Sequence, residues 1–276
     1  MIGSATGSFR AGFRSSGEGS GGPWNPGIDL SPAFWIDASD TNSYTVGGGN
    51  NLLTITDKTG NFDLDTDGTP QRAFNALNTM PAFYFNGSES IMSTNQGQLA
   101  SGGNHWAVGV FRWDQVNNSK DSAWSYNGNR TYALSAGAAN SWSGEIDYDG
   151  DQTISLPQYA KNTFNTPINV STFAIVSIVF DKYSDQIYGR INGRTRTVAH
   201  PYEQSMDSTS DVRVFRNRGN HRTRGYLAEL FHVADRPGSG GKGNIDDLEK
   251  AEGYLAHKWG LAGNLPSQHP YSVSPP

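Results

Sequence analysis

The sequence contains no cysteine, and this alone removes disulfide staples, thiolate metal sites and cysteine nucleophiles. Charge is sparse as well: Asp, Glu, Lys and Arg make up 17% of the 276 residues, with a formal net charge of −5. An acidic balance argues against nucleic acid as the main partner. No apolar run is long enough to span a bilayer, and the opening residues carry no hydrophobic signal segment. The expectation is therefore a chain made in the cytoplasm without membrane insertion, and assembly into a particle released by lysis fits that. The 6 histidines are scattered, with no pair at helical metal-ligand spacing, and there is no serine-centred nucleophile elbow.

Glycine and aromatic residues are abundant instead. The chain has 33 glycines, 12% aromatics and only 35% hydrophobic residues, with a mean hydropathy of −0.58. This composition implies many turns and a core built from Phe, Tyr and Trp. Short apolar stretches recur along the chain as expected strands: Leu30 to Asp40, Met80 to Gly87, Glu89 to Ser93, His105 to Trp113, Ser171 to Asp181, Asp211 to Phe215 and Tyr226 to Val233. Asp185 to Val198 reads as a hairpin turning on Asn192-Gly193. Regular short strands with turn signals predict an all-β, antiparallel jelly-roll sandwich.

One helix is expected, after Asn244. Asp246, Asp247 and Glu249 suit its positive first turn, His257 and Lys258 its negative end, and Gly260 a left-handed stop. Ile245, Leu248, Ala251, Leu255 and Trp259 form a stripe at three- and four-residue steps, which must be buried against the sandwich. Gly238 to Gly243 resembles a phosphate loop only faintly and reads as a linker. Two divisions follow: a Gly/Ser-rich N-terminal arm over 1–27 and one sandwich domain over 28–276 closed by the helix. The arm is expected to dock on neighbouring subunits through Phe9, Arg10, Phe13, Arg14 and Trp24.

Three constellations stand out for chemistry or contact. Asp63, Asp65 and Asp67 match the first half of a calcium loop, although Phe74 occupies the twelfth position where an acid is required. They form a degenerate candidate calcium site, and otherwise a polar loop. The arginine-rich run that includes Arg216, Arg218, Arg222 and Arg224, preceded by Arg190, Arg194 and Arg196 on the hairpin, is expected at a subunit contact in a homo-oligomer, with a trimer as the expected form, and otherwise reads as a solvated hairpin. Trp124, Tyr126 and Trp142 lie in Ser/Asn/Gly-rich surroundings and are candidates for stacking on sugars, whereas Trp106 and Trp113 belong to an apolar strand and are expected in the core.

Several segments resemble one family. Leu30 to Asp40, Thr56-Asp-Lys-Thr-Gly-Asn61, Ala228-Glu-Leu230, Glu252 to Leu261 and Leu265-Pro-Ser-Gln-His-Pro-Tyr271 are similar to concanavalin A-like lectin/glucanase domains of the laminin G-like type found in phage virion and bacterial surface proteins. The resemblance covers roughly Leu30 to the end and implies a non-enzymatic structural or adhesive module. It implies a virion component, in a tail, fibre or baseplate, contacting other virion proteins through the arm and binding cell-surface carbohydrate. A capsid decoration protein is the alternative in that class. The resemblance also draws attention to Glu145, Asp147 and Asp149, since glucanases of this fold use a related Glu-x-Asp-x-Glu string; a glycoside hydrolase using Glu145 and Asp149 is the rival reading. Because Gly150 follows at once, this run is expected at a strand end, as a solvated turn.

Overall fold

The computed structural model describes residues 24–95, 105–115, 122–127, 130–137, 141–148, 152–155, 171–181, 186–198, 211–216, 222–234 and 245–276. Two antiparallel sheets face each other. The first contains β1 (Phe34–Asp37), β5 (Gln71–Leu77), β6 (Met80–Asn86), β8 (His105–Gln115), β13 (Ala174–Asp181), β14 (Gln186–Ile191), β15 (Arg194–Val198) and β17 (Arg224–Ala234). The second contains β4 (Leu64–Asp67), β7 (Ser90–Ser93), β9 (Ser122–Asn127), β10 (Arg130–Gly137), β11 (Ser141–Tyr148), β12 (Gln152–Ser155) and β16 (Asp211–Val214). A ribbon of β2 (Tyr44–Val46) and β3 (Leu52–Ile55) stands apart. The expected all-β sandwich is thus observed, and every expected strand is present.

Alternation along the strands divides the apolar residues between two cores. Phe83, Phe85, Phe111, Trp113, Val176 and Leu227 of the first sheet meet Ile91, Trp124, Val212 and Val214 of the second. The opposite parity of the first sheet, with Ala82, Trp106, Val108, Val110, Ile175 and Phe231, meets the helix α2 (Ile245–Lys258). A short helix α1 (Pro26–Asp29), capped by the Asn25 side chain, precedes β1. In α2 the expected stripe is buried at Leu248, Ala251, Leu255 and Trp259. Gly260 ends the helix at φ 68°, a conformation that favours glycine, as its position predicted. Asn244, the expected cap, lies outside the described residues.

The helix is fixed to the sheet by a buried carboxylate. On β17 a register shift between Leu227 and Glu229 places Ala228 and Glu229 together on the helix side, a β-bulge that re-aims the acid. Glu229 is fully buried. It accepts hydrogen bonds from Trp35 Nε1 at 2.9 Å, Trp259 Nε1 at 2.8 Å, Tyr254 Oη at 3.2 Å and Lys258 Nζ at 2.7 Å. Asp37 stands opposite Glu229 in register, and Lys258 reaches it too, at 2.8 Å. Lys258 therefore bridges two facing acids, and Lys58 Nζ also reaches Asp37 at 3.2 Å. Burial, the largest influence on Lys258, works to lower its pKa, yet the two carboxylates raise it overall. Burial pushes the Glu229 pKa up, while Lys258, with help from Ser39 and Lys58, outweighs burial at Asp37 and holds it below the usual carboxylate value. The Tyr254 hydroxyl is raised by burial and by both acids.

A second node lies further along the helix. Glu252, also fully buried, accepts from Ser177 Oγ at 2.9 Å, from Arg190 Nε at 2.9 Å and lies 3.3 Å from His269 Nε2. The terminal Pro-Ser-Gln-His-Pro-Tyr segment thereby folds back over the helix. At Gly253 an added Cβ would stand 2.5 Å from Tyr271 Cβ, so the clasp requires glycine there. Asp57 anchors the other signature loop, accepting from Trp35 N, Thr59 Oγ1, Asn61 N and Phe62 N.

Two predictions follow from this packing. Replacing Glu229 by Gln leaves Lys258 and two indole donors around a neutral amide, and should cost about 3–5 kcal/mol of unfolding free energy in urea titrations, the usual loss when one partner of a buried pair is removed. A loss under about 1 kcal/mol, the range of exposed pairs, would refute the role given to this carboxylate. The second concerns His105, fully buried and 3.2 Å from His232. Burial, reinforced by His232, holds its pKa well below 6.5. The unfolded chain therefore takes up a proton that the folded one refuses, so stability should fall as pH drops below about 6.5. Unfolding midpoints measured between pH 7 and 5 should show this slope, and His105→Gln should flatten it.

Candidate functional site

The helix covers only part of the first sheet's outer face. Beyond the row of Ala82, Ala228 and Val110, which packs beneath it, the next row runs across four strands in register: Gln71 on β5, Tyr84 on β6, Tyr226 on β17 and Arg112 on β8. Strand parity explains their exposure. In Phe83-Tyr84-Phe85 the two phenylalanines enter the sandwich core, so the tyrosine between them must emerge on the other face.

These side chains contact one another in sequence. The Tyr84 and Tyr226 ring centroids are 4.8 Å apart, and the Arg112 guanidinium lies 4.5 Å from the Tyr226 centroid, a cation–π contact. Asp114 holds Arg112 at 2.7 Å, Phe173 abuts Tyr226, and Arg224, two residues before Tyr226 on the same face, stands 6.0 Å from the Tyr84 centroid. Burial raises the Tyr226 pKa, so its hydroxyl remains a neutral donor and acceptor through the physiological range. The result is an open platform of two half-buried tyrosines flanked by guanidinium, carboxylate and amide groups. Aromatic surface for stacking and polar groups for hydroxyls are what a carbohydrate requires of a binding face.

The residues expected from sequence fare differently. Trp124 is 0% exposed and stacks on His232 inside the sandwich, and its neighbour Ser125 is buried as well, so the polar context does not mark an exposed face. Tyr126 and Trp142 are placed by backbone alone: Tyr126 pairs with Val212 and Tyr132, and Trp142 with Ala136. Trp106 and Trp113 are in the core as expected. Glu145 and Asp147 lie within β11, not at a turn, since Ile146 pairs with both Tyr132 and Ile154 and the ladder continues to Tyr148. Glu145 faces Ala133 and Ser155 in register, and Asp147 faces Thr131 and Thr153. Asp149 lies outside the described residues.

The calcium loop is not formed as expected. Leu64–Asp67 is a strand paired with β7, and a strand spreads alternate carboxylates instead of converging them on one cation. Asp65 accepts from Thr66 N at 2.8 Å. Asp67 is taken by Arg216 at 2.6 Å and by Arg222. Among the described residues no group of three His, Cys, Asp or Glu could hold a metal ion.

Within the chain, Arg216 and Arg222 tie their segments to Asp67 of β4, and Arg190 is buried against Glu252 and Glu249. Of the others, Arg224 is exposed and Arg218 lies outside the described residues. Phe9, Arg10, Phe13 and Arg14 lie outside them too, whereas Trp24 packs its ring 5.4 Å from Tyr254 of its own helix. A polar cleft of about 670 Å³ between the hairpin turn and the clasp is lined by Arg190, Arg194, Glu249 and Ser267 to His269; its charged walls belong largely to the Glu252 node.

No protein-family model matches the chain, and no characterised protein matches it in sequence. Solved structures do match in fold. Domain 4 of AbnA, a GH43 extracellular arabinanase from Geobacillus stearothermophilus in complex with arabinotriose, is 13% identical, aligns over 73% of this chain and 91% of its own length, and gives a TM-score of 0.55. The receptor binding domain of botulinum neurotoxin type G is 13% identical over 80% of this chain with a TM-score of 0.51, and the chain spans 50% of that domain's length. At such identities the likeness is one of fold: the chain shares the β-sandwich of these domains.

Proposed function

We propose that this chain is a non-catalytic carbohydrate-binding module that holds an oligosaccharide against the outer face of its first sheet. The observation that carries this reading is the row Gln71, Tyr84, Tyr226 and Arg112, which lies beyond the row that packs beneath the helix. A buried continuation of the Ala82 row would call for small or apolar residues; tyrosines flanked by arginine and amide suit a ligand that is apolar on its ring faces and hydroxylated at its rim. That a domain of the same fold was solved with arabinotriose supports the fold's suitability for sugars.

The non-catalytic reading rests on the resemblance of the terminal segments, which implies a structural or adhesive module. The finer reading is an adhesive protein of a phage virion, in a tail or fibre, with the arm reaching other virion proteins. It rests on the resemblance of the terminal segments and on the glycine- and aromatic-rich composition.

Screening the purified chain on a glycan array, followed by calorimetric titration of the hits, tests the module. Tyr226→Ala should weaken binding about tenfold or more, as removal of a central aromatic contact does. Tyr84→Ala should do the same with less risk to folding, checked by far-UV circular dichroism. The bound oligosaccharide should be recovered uncleaved. A blank array, or wild-type affinity in both variants, would overturn the proposal. For the virion placement, deleting residues 1–23 should leave the fold intact and abolish copurification with particles; normal incorporation would count against it.

A further inference from the structure

We infer that the oligosaccharide held by this platform carries an anionic sugar unit, and that Arg224 receives it. The inference rests on the carbohydrate-binding reading above and goes further by assigning the ligand's charge. It follows from how arginines of the two sheets are neutralised. Arg112 is held by Asp114 at 2.7 Å, Arg213 by Asp211 at 2.6 Å, and Arg216 and Arg222 both by Asp67. Arg224 differs. It is exposed, and its recorded contact is with the ring of Tyr84; among the described residues no carboxylate lies within ion-pair distance of it.

Among the described residues, Arg224 therefore brings to the edge of the platform a positive charge with no carboxylate partner. Its position is fixed by the strand: it precedes Tyr226 by two residues on the same face, about 7 Å away along β17, and pairs with Asn86 across β6. The row itself, from Gln71 to Arg112, spans three strand spacings, about 14 Å at the ordinary separation of ~4.8 Å. That length fits an oligosaccharide lying across the strands with one unit displaced toward Arg224. A guanidinium presents parallel N–H groups that match a carboxylate or sulfate oxygen pair, and the ring beneath keeps the guanidinium plane oriented. Arg112, already bound to Asp114, contributes stacking and a hydrogen bond but no net charge.

The test is an array holding neutral, carboxylated and sulfated oligosaccharides, probed with the wild-type chain, Arg224→Gln and Tyr84→Ala. Wild-type hits should be confined to, or strongest among, the anionic members, and their binding should weaken as ionic strength rises from 50 to 500 mM. Arg224→Gln should lower anionic hits about tenfold, the usual worth of a hydrogen bond to a charged group, and by a much larger factor than any neutral hits. Tyr84→Ala should lower both. The balance of carboxylated against sulfated hits identifies the source of the charge. Hits among neutral glycans alone, or anionic binding that survives Arg224→Gln, would overturn this inference while leaving the platform standing. A blank array would remove both.

Discussion

A carboxylate with no access to water, Glu229, is the constraint from which the rest of this structure follows. Burying an ion costs several kcal/mol unless its lone pairs are met by donors, and here four donors from two segments are brought to it. Trp35 comes from β1, while Tyr254, Lys258 and Trp259 come from the terminal helix and the residue following it. None can reach the acid unless β1 pairs with β17 and the helix lies across the sheet at one depth and rotation. Apolar packing of Leu248, Ala251 and Leu255 supplies attraction without direction. The carboxylate supplies the direction, and the bulge after Leu227 is what turns it toward the helix.

That arrangement explains what the family resemblance does and does not convey. Asp37 and Trp35 lie in the first similar segment, Asp57, Lys58, Thr59 and Asn61 in the second, Glu229 in the third, Glu252, Tyr254, Lys258 and Trp259 in the fourth, and His269 and Tyr271 in the last. Each is engaged in the two buried nodes, the Asp57 loop or the clasp. The similar residues are those that hold sheet, helix and tail together, so they speak to architecture. The platform residues Gln71, Tyr84, Arg112 and Arg224 fall outside these segments, as a ligand-specific face on a common scaffold should.

Legibility in the sequence followed the same division. The helix was readable because its charge order, apolar stripe and Gly260 all agree, and the core strands because their apolar runs are unbroken. Leu64–Asp67 was not readable as a strand: its acids mimic a calcium loop, and only long-range pairing with β7 and the two arginines reveals otherwise. Glu145 and Asp147 were set at a turn because glycine follows nearby, yet Ile146 continues the ladder to β12. Trp124 was misread by averaging over its polar neighbours, when alternation puts the tryptophan inside and Ser125 on the other face. The platform was legible in principle, since Tyr84 sits between two core phenylalanines at the opposite parity. What could not be read was which strands lie beside one another, and without that Gln71, Tyr84, Tyr226 and Arg112 are four residues spread over 156 positions.

The extent of the helix then determines where a ligand can bind. Fourteen residues at 1.5 Å per residue give a rod of about 21 Å, and its position is already fixed by the Glu229 and Glu252 nodes. It cannot slide to cover the Tyr84 row without withdrawing Lys258 and Trp259 from the carboxylate. The outer face of the first sheet is therefore divided at Ala82–Ala228–Val110: on one side apolar residues, Trp106 and Phe231 among them, pack against the helix, and on the other lie the half-buried tyrosines and the arginines. Because the covered half is rigid, the uncovered half inherits its geometry, and the rings of Tyr84 and Tyr226 are presented on hydrogen-bonded strands instead of a loop. A weak polar ligand such as a sugar gains most from such a surface, since little conformational freedom remains to be lost on binding.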